Sequence, residues 1–167
     1  MKKILLDRIA HLTQHELYNE LYRDPLTGCL NRRAFELEFT PPELHFLFIA
    51  IVDLDSLKWI NDNLGHDEGN ASLKCLAGEL RLAFGQDSVY RLGGDEFAVT
   101  ANHVVELRDA LTSLQDQAGS QFTYGLGINL PSADIHLRSN KLGREAQGLR
   151  APRGERPPWI PVVDETA

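Results

Sequence analysis

The chain is poor in the residues that staple a fold or anchor it in a membrane. Its 167 residues include two cysteines, Cys29 and Cys75, and one methionine. The cysteines have no metal-ligand spacing, and nothing marks the chain as secreted. They read as reduced thiols of a cytoplasmic protein rather than a disulfide framework. The six histidines show no zinc-type spacing, and His66 reads as a brace in a turn. No apolar run reaches the roughly 20 residues that cross a bilayer, and the polar start lacks the form of a signal peptide. Direct membrane insertion is therefore not expected, and a membrane-borne sensor would sit on a separate chain. Excess positive charge is lacking as well: 24 acids against 17 bases leave a net charge of −7. That balance argues against a nucleic-acid or anionic-membrane binder. It still admits a nucleotide, because a metal can bridge carboxylates and phosphates. There is no P-loop, no internal repeat and no serine or cysteine in a nucleophile setting. Gly125-Leu126-Gly127 falls within an expected strand and lacks the third glycine of a dinucleotide fingerprint.

What is present suits one soluble globular domain with short appendages, at 43% hydrophobic and 25% charged residues. Residues 1–22 read as an N-terminal helix, with Ile4, Leu5, Ile9, Leu12, Leu17 and Leu21 loosely on one face. An ordinary packing helix and a helix that pairs with a second chain both fit that pattern. Asp24-Pro25 stops it, Asn31 to Leu37 opens a second helix, and Pro41-Pro42 closes that one. Residues 45–53 are too uniformly apolar for a half-exposed strand. A helix over 56–63 and a Gly-His turn lead to another helix, whose buried face carries Ala71, Leu73, Leu76, Ala77, Leu80, Ala83 and Phe84. A hairpin (88–92 and 96–100), a helix from Val104 to Leu114, a strand over 122–130 and a helix over 132–146 complete residues 23–147. The Pro/Arg-rich tail, 148–167, reads as irregular or disordered. This order predicts an α/β (α+β) sandwich with a mostly antiparallel central sheet flanked by helices.

The chemistry concentrates at two places. Asp53-Leu54-Asp55 ends the apolar run Phe46 to Val52. About forty residues on, Arg91-Leu92-Gly93-Gly94-Asp95-Glu96-Phe97 makes a tight turn between apolar stretches. Adjacent glycines allow a sharp turn at positive φ, where a side chain would crowd the bend or a ligand. Carboxylates gathered at neighbouring strand ends suit oxygen-ligated divalent metals in phosphoryl transfer. Asp55 also fits as a cap for the following helix.

With Asp24-Pro25-Leu26-Thr27-Gly28-Cys29-Leu30-Asn31-Arg32-Arg33, and Lys58 to Asp62 followed by Gly65-His66 and Gly69, these residues resemble the GGDEF domain family of bacterial diguanylate cyclases. The resemblance runs over roughly residues 22–145. It implies a palm-like nucleotidyl cyclase fold and a homodimer that condenses two GTP into cyclic di-GMP, with release of two pyrophosphates. It further implies Mg2+ or Mn2+ held by Asp53, the Leu54 carbonyl, Asp95 and Glu96, with Asp53, Asp95 and Glu96 serving catalysis. Nucleotide binding falls to Lys58, Asn61, Asn70, Gly93, Gly94, Lys141 and Arg144.

The sequence departs from the family pattern at three points. Asn70 stands where the family usually has an Asp that reads guanine. An amide offers one acceptor and one donor, which suits adenine better than the two donors of guanine, so ATP enters beside GTP as a ligand. No arginine lies three residues before Asp87, so product feedback is not expected there. The C-terminal helix is remodelled: the family's ending before the lysine appears only as Ala133 to Lys141, and Arg144 comes one residue early, a rotation of about 100° on a helix. These departures keep two other readings open: a degenerate module that binds a nucleotide or a partner without turnover, and a cyclase that makes a different, adenine-containing cyclic dinucleotide.

Overall fold

A computed structural model describes residues 9–39, 48–117 and 121–158. A capping box starts helix α1 (Gln14–Tyr22): Thr13 Oγ1 accepts from the Glu16 N–H at 3.2 Å, and Glu16 answers at the Thr13 N–H at 2.8 Å. The continuous helix expected over 1–22 is therefore broken at Thr13, because this Thr-x-x-Glu signal opens a new helix there. Residues 1–8, and the expected stop at Pro41-Pro42, lie outside the described residues. After the loop at Asp24-Pro25 come β1 (Leu30–Asn31) and α2 (Arg32–Glu38), the latter capped by Asn31. The element β1 is too short to leave a periodic signal, and it was not expected.

The remaining elements are β2 (Phe48–Leu54), α3 (Leu57–Leu64), α4 (His66–Phe84), β3 (Val89–Gly93), β4 (Glu96–Ala101), α5 (Val104–Asp116), β5 (Phe122–Gly127) and α6 (Leu130–Ala146). The sheet order is β1-β3-β4-β2-β5, antiparallel throughout except for the β1–β3 pair. This is the mixed α/β sandwich with a mostly antiparallel sheet that the element order implied. The uniformly apolar sequence of β2 follows from its place, since it pairs on both edges and is covered on both faces. Ala50, Val52 and Leu54 pack with Leu73, Leu76, Leu80, Leu107 and Leu111 from α4 and α5. Its other face alternates in register: Ile49 joins Phe35 and Tyr90, and Ile51 meets Ala133 and Leu137 of α6.

Strand β5 ends at Gly127 rather than 130, because Asn129 caps α6 by accepting from the Ser132 N–H at 2.9 Å. The glycines of β5 allow α6 to lie directly on the sheet. A Cβ at Gly125 would stand 2.1 Å from the Leu137 nitrogen, and one at Gly127 would stand 2.4 Å from the Ala133 nitrogen. Gly125→Ala should therefore destabilise the protein by about 2 kcal/mol or more, since backbone cannot move aside as a side chain would. Urea denaturation reads this directly; a wild-type midpoint would show that α6 does not rest on β5.

Candidate active site

On a strand, alternate residues share a face, so Ile51 and Asp53 both point toward α6, and Asp55 follows in the turn just beyond β2. On α6, Ala133, Leu137 and Lys141 are four apart and share the facing stripe. The two rows run from apolar to charged together. Beyond the Ile51–Ala133–Leu137 contact, Lys141 Nζ reaches Asp53 Oδ2 at 2.7 Å. Asp55, fully buried, accepts from Thr123 Oγ1 at 2.9 Å and from Arg150 Nε at 2.5 Å, while Arg144 Nη2 stands 3.6 Å away. Arg150 also reaches Glu145 at 2.5 Å and comes within 3.5 Å of Asp53 Oδ1. Asp55 thus does not cap the following helix. Ser56 takes that position at φ +62°, a left-handed conformation rare for a residue with a side chain, and makes no side-chain cap.

The β2–β4 register sets Asp53 directly opposite Glu96, and the Leu54 N–H donates to the Asp95 carbonyl at 3.0 Å. Gly93 and Gly94 take φ +145° and +54°. Among the described residues, apart from the chain neighbours, no atom lies within 4 Å of a Cβ built at either position. It is thus the backbone conformation that calls for glycine here, rather than crowding within the bend. Arg91 braces the turn. Its Nη2 donates to the Gly94 carbonyl at 2.7 Å, and its Nη1 to Asp24 Oδ1 at 3.1 Å. Burial pushes the Asp24 carboxyl up, but hydrogen bonds from Thr27 and Arg91 outweigh it and hold the group below its ordinary value.

A cavity of about 330 Å³ brings Asp53, Lys58, Asp95, Glu96 and Lys141 together, with Arg150, Ala151, Arg153 and Gly154 as its far wall. Gly93 and Gly94 stand exposed at the turn and do not line it. Arg144 borders a separate cavity, next to Thr123 and Asn140. Asn61 on α3 packs over Gly69 of α4, where an added Cβ would fall 2.0 Å from its Oδ1. This contact sets Asn61 beside the position adjoining Asn70, next to Leu57, which lines the cavity. The wall from Arg150 onward is the residue set that sequence reasoning missed. Residues 148–158 form no helix or strand, yet Ala151 and Pro157 are buried.

The chemistry of the donors fits a hard divalent cation. Asp53 Oδ1 is buried and accepts no hydrogen bond among the described residues, with Arg150 Nη2 at 3.5 Å and Asp95 and Glu96 lining the same cavity. Among the described residues no three His, Cys, Asp or Glu side chains converge on one point. Magnesium does not require such a cage; it is commonly held by one or two carboxylates and completed by water and phosphate.

Burial pushes the Asp53 carboxyl up from 3.8 to about 6. Lys141 pulls it down by hydrogen bond and charge, and the negative charge of Asp95 adds to the rise. An acid whose folded pKa is raised holds its proton more tightly when folded, so its contribution to stability is full below pH 3.8 and lost as pH rises through about 6. The swing is on the order of 3 kcal/mol. Without divalent cations, wild-type stability should therefore fall across that window relative to Asp53→Asn. Parallel profiles for the two proteins in urea denaturation would contradict the shift.

A family profile described as "Diguanylate cyclase, GGDEF domain" matches residues 21–124. Diguanylate cyclase DgcP of Pseudomonas aeruginosa is 36% identical over 126 residues, covering 71% of this chain and 17% of that protein. Cyclic di-GMP phosphodiesterase PdeB of Shewanella oneidensis is 32% identical over 130 residues, covering 71% and 15%. The chain thus spans less than a fifth of the length of both relatives. Among solved structures, a microbial GGDEF domain described in an interaction with bis-(3′,5′)-cyclic di-GMP superposes with a TM-score of 0.58. It is 27% identical, and the match covers 73% of this chain and 94% of that one. Among the described residues, no helix is long and apolar enough to cross a membrane.

Proposed function

Because this chain belongs to the GGDEF domain family, we propose that it is a metal-dependent nucleotidyl cyclase that condenses two GTP into cyclic di-GMP and releases two pyrophosphates. The observation that carries this reading is the convergence of Asp53, Asp95, Glu96, Lys58 and Lys141 on one cavity, with Asp53 Oδ1 accepting no hydrogen bond among the described residues. Mg2+ or Mn2+, held by Asp53, the Leu54 carbonyl, Asp95 and Glu96, would lower the pKa of the attacking 3′-hydroxyl and neutralise charge on the departing pyrophosphate. Lys58 and Lys141 take the phosphates; each is now paired with a carboxylate, Asp62 at 2.6 Å and Asp53 at 2.7 Å. Those pairs neutralise the cavity until a polyanion replaces the carboxylates. Asn61 and Asn70 read the base. Each domain holds one nucleotide, so two protomers face each other and exchange attacks, which makes the cytoplasmic homodimer part of the chemistry.

Incubating the protein with Mg2+ or Mn2+ and GTP, ATP or both should yield a cyclic dinucleotide by mass spectrometry, and Asp95→Ala should abolish it. Absence of product at protein concentrations that favour dimers would remove the cyclase reading.

A second reading rests on one observation: both oxygens of Asp53 face cations of the same chain, Lys141 and Arg150. If those contacts hold against a metal, the domain is a binding module, and Asp53→Ala leaves its partner contacts intact. The base is a separate matter. An amide at position 70 forfeits one hydrogen bond to guanine and offers it a mismatched donor, together about 2 kcal/mol. Wild-type protein should bind GTP and ATP comparably, and Asn70→Asp should shift preference toward GTP by roughly tenfold or more in competition binding. Strong GTP selectivity in the wild type would rule out this role for Asn70.

A further inference from the structure

Four cations line the cavity, and three of them are spent. Lys141 is on Asp53, Lys58 on Asp62, and Arg150 on Asp55 and Glu145. Arg153, exposed on the same wall, has no ion pair or hydrogen bond among the described residues. It is nonetheless held in place by its backbone. The Leu149 N–H donates to the Arg144 carbonyl at 2.9 Å as the chain leaves α6, with Gly148 turning at φ +68°. The Arg150 guanidinium, 11% exposed, then pins the strap to the acids at the end of β2. Ala151 is buried, and the Glu155 N–H closes a β-turn on the Pro152 carbonyl at 3.0 Å, with Arg153 and Gly154 at its centre. Gly154, at φ +87°, sets this turn against the Lys58 side chain: a Cβ there would lie 3.9 Å from Lys58 Cε.

We propose that this strap is a phosphate-binding element: pinned by Arg150, its turn presents Arg153 beside Lys58 to the terminal phosphates of the bound nucleoside triphosphate. The inference rests on the nucleotide reading of the cavity given above. A triphosphate brings several negative charges to a cavity where Lys58 and Lys141 must leave a carboxylate to meet them, and a guanidinium with free donors adds to their charge without that exchange. The helix cannot supply it, because Arg144 faces Asp55 and a separate cavity. The strap brings an arginine from beyond the helix instead. Contacts to terminal phosphates do not depend on the base, so the strap serves GTP and ATP alike.

Calorimetric titration of the full chain in Mg2+, with the α,β-methylene analogues of GTP and ATP and with GMP and AMP, tests this without turnover. Arg153→Gln should weaken binding of the preferred triphosphate about tenfold. Monophosphate affinity should stay within about twofold. The melting temperature should not change, since Arg153 holds nothing in the fold, and Arg153→Lys should recover part of the loss. Unchanged triphosphate affinity in Arg153→Gln, or an equal loss for mono- and triphosphates, overturns the strap and leaves the nucleotide reading standing. Failure of the wild type to bind either triphosphate overturns the nucleotide reading, and the strap with it.

Discussion

Two carboxylates, Asp53 near the end of β2 and Asp55 in the turn just beyond it, are buried, and the fold has to bring cations to them. Withdrawing an ionised carboxylate from water costs several kcal/mol unless partners replace the lost hydration. Those partners come from α6 and the strap beyond it: Lys141 to Asp53, and Arg150 with Arg144 to Asp55. Their arrival depends in turn on how closely α6 can lie on the sheet, which the bare backbones of Gly125 and Gly127 set. A methyl group on β5 would lift the helix and withdraw the cations from the acids. Stability and chemistry therefore share one row of contacts, apolar at one end and ionic at the other. The ionic end is the costly one, as the raised Asp53 carboxyl shows.

The opposite side of the cavity is fixed by a different device. Arg91 grips the Gly94 carbonyl with one part of its guanidinium and Asp24 with another, tying the glycine turn to the loop after α1. Asp24 is itself held by the Thr27 N–H and hydroxyl, at 2.8 and 2.7 Å. Asp95 and Glu96 thus sit on a turn whose conformation is set by glycine and whose position is set by an ion pair. Arg81 of α4 donates to the Thr27 carbonyl at 3.1 Å, and Arg23 meets Asp87 at 3.2 Å, so the same loop is joined to the far end of α4.

Much of this was legible in the sequence, where local pattern and local chemistry agreed. The unbroken apolar run of β2, the hairpin about Gly93-Gly94 and the helical spacing in α4 each follow from a short-range period. Asp53, Asp95, Glu96, Lys58 and Lys141 were readable as motif positions, and they meet in one cavity. What escaped was non-local or aperiodic. Arg150 lies 95 residues from Asp55, in a segment whose prolines and glycines suggest a loose tail. A carboxylate before a helix usually caps it, and the other use of Asp55 shows only once Thr123 of β5 and the distant Arg150 are brought to it. Gly125 and Gly127 were recognised as no dinucleotide fingerprint, but their role in seating a helix needs the helix itself. The break at Thr13 was readable and was outweighed by a weak apolar face spanning it.

The account stands on a divalent cation and a triphosphate meeting between the end of β2 and the acid turn. Electron paramagnetic resonance of Mn2+ with the α,β-methylene analogues of GTP and ATP measures that meeting without requiring turnover. Wild-type protein should give a bound Mn2+–nucleotide signal that Asp53→Ala and Asp95→Asn each abolish, while both variants keep a cooperative unfolding transition. An unchanged bound signal in both variants would place the metal elsewhere and contradict the account.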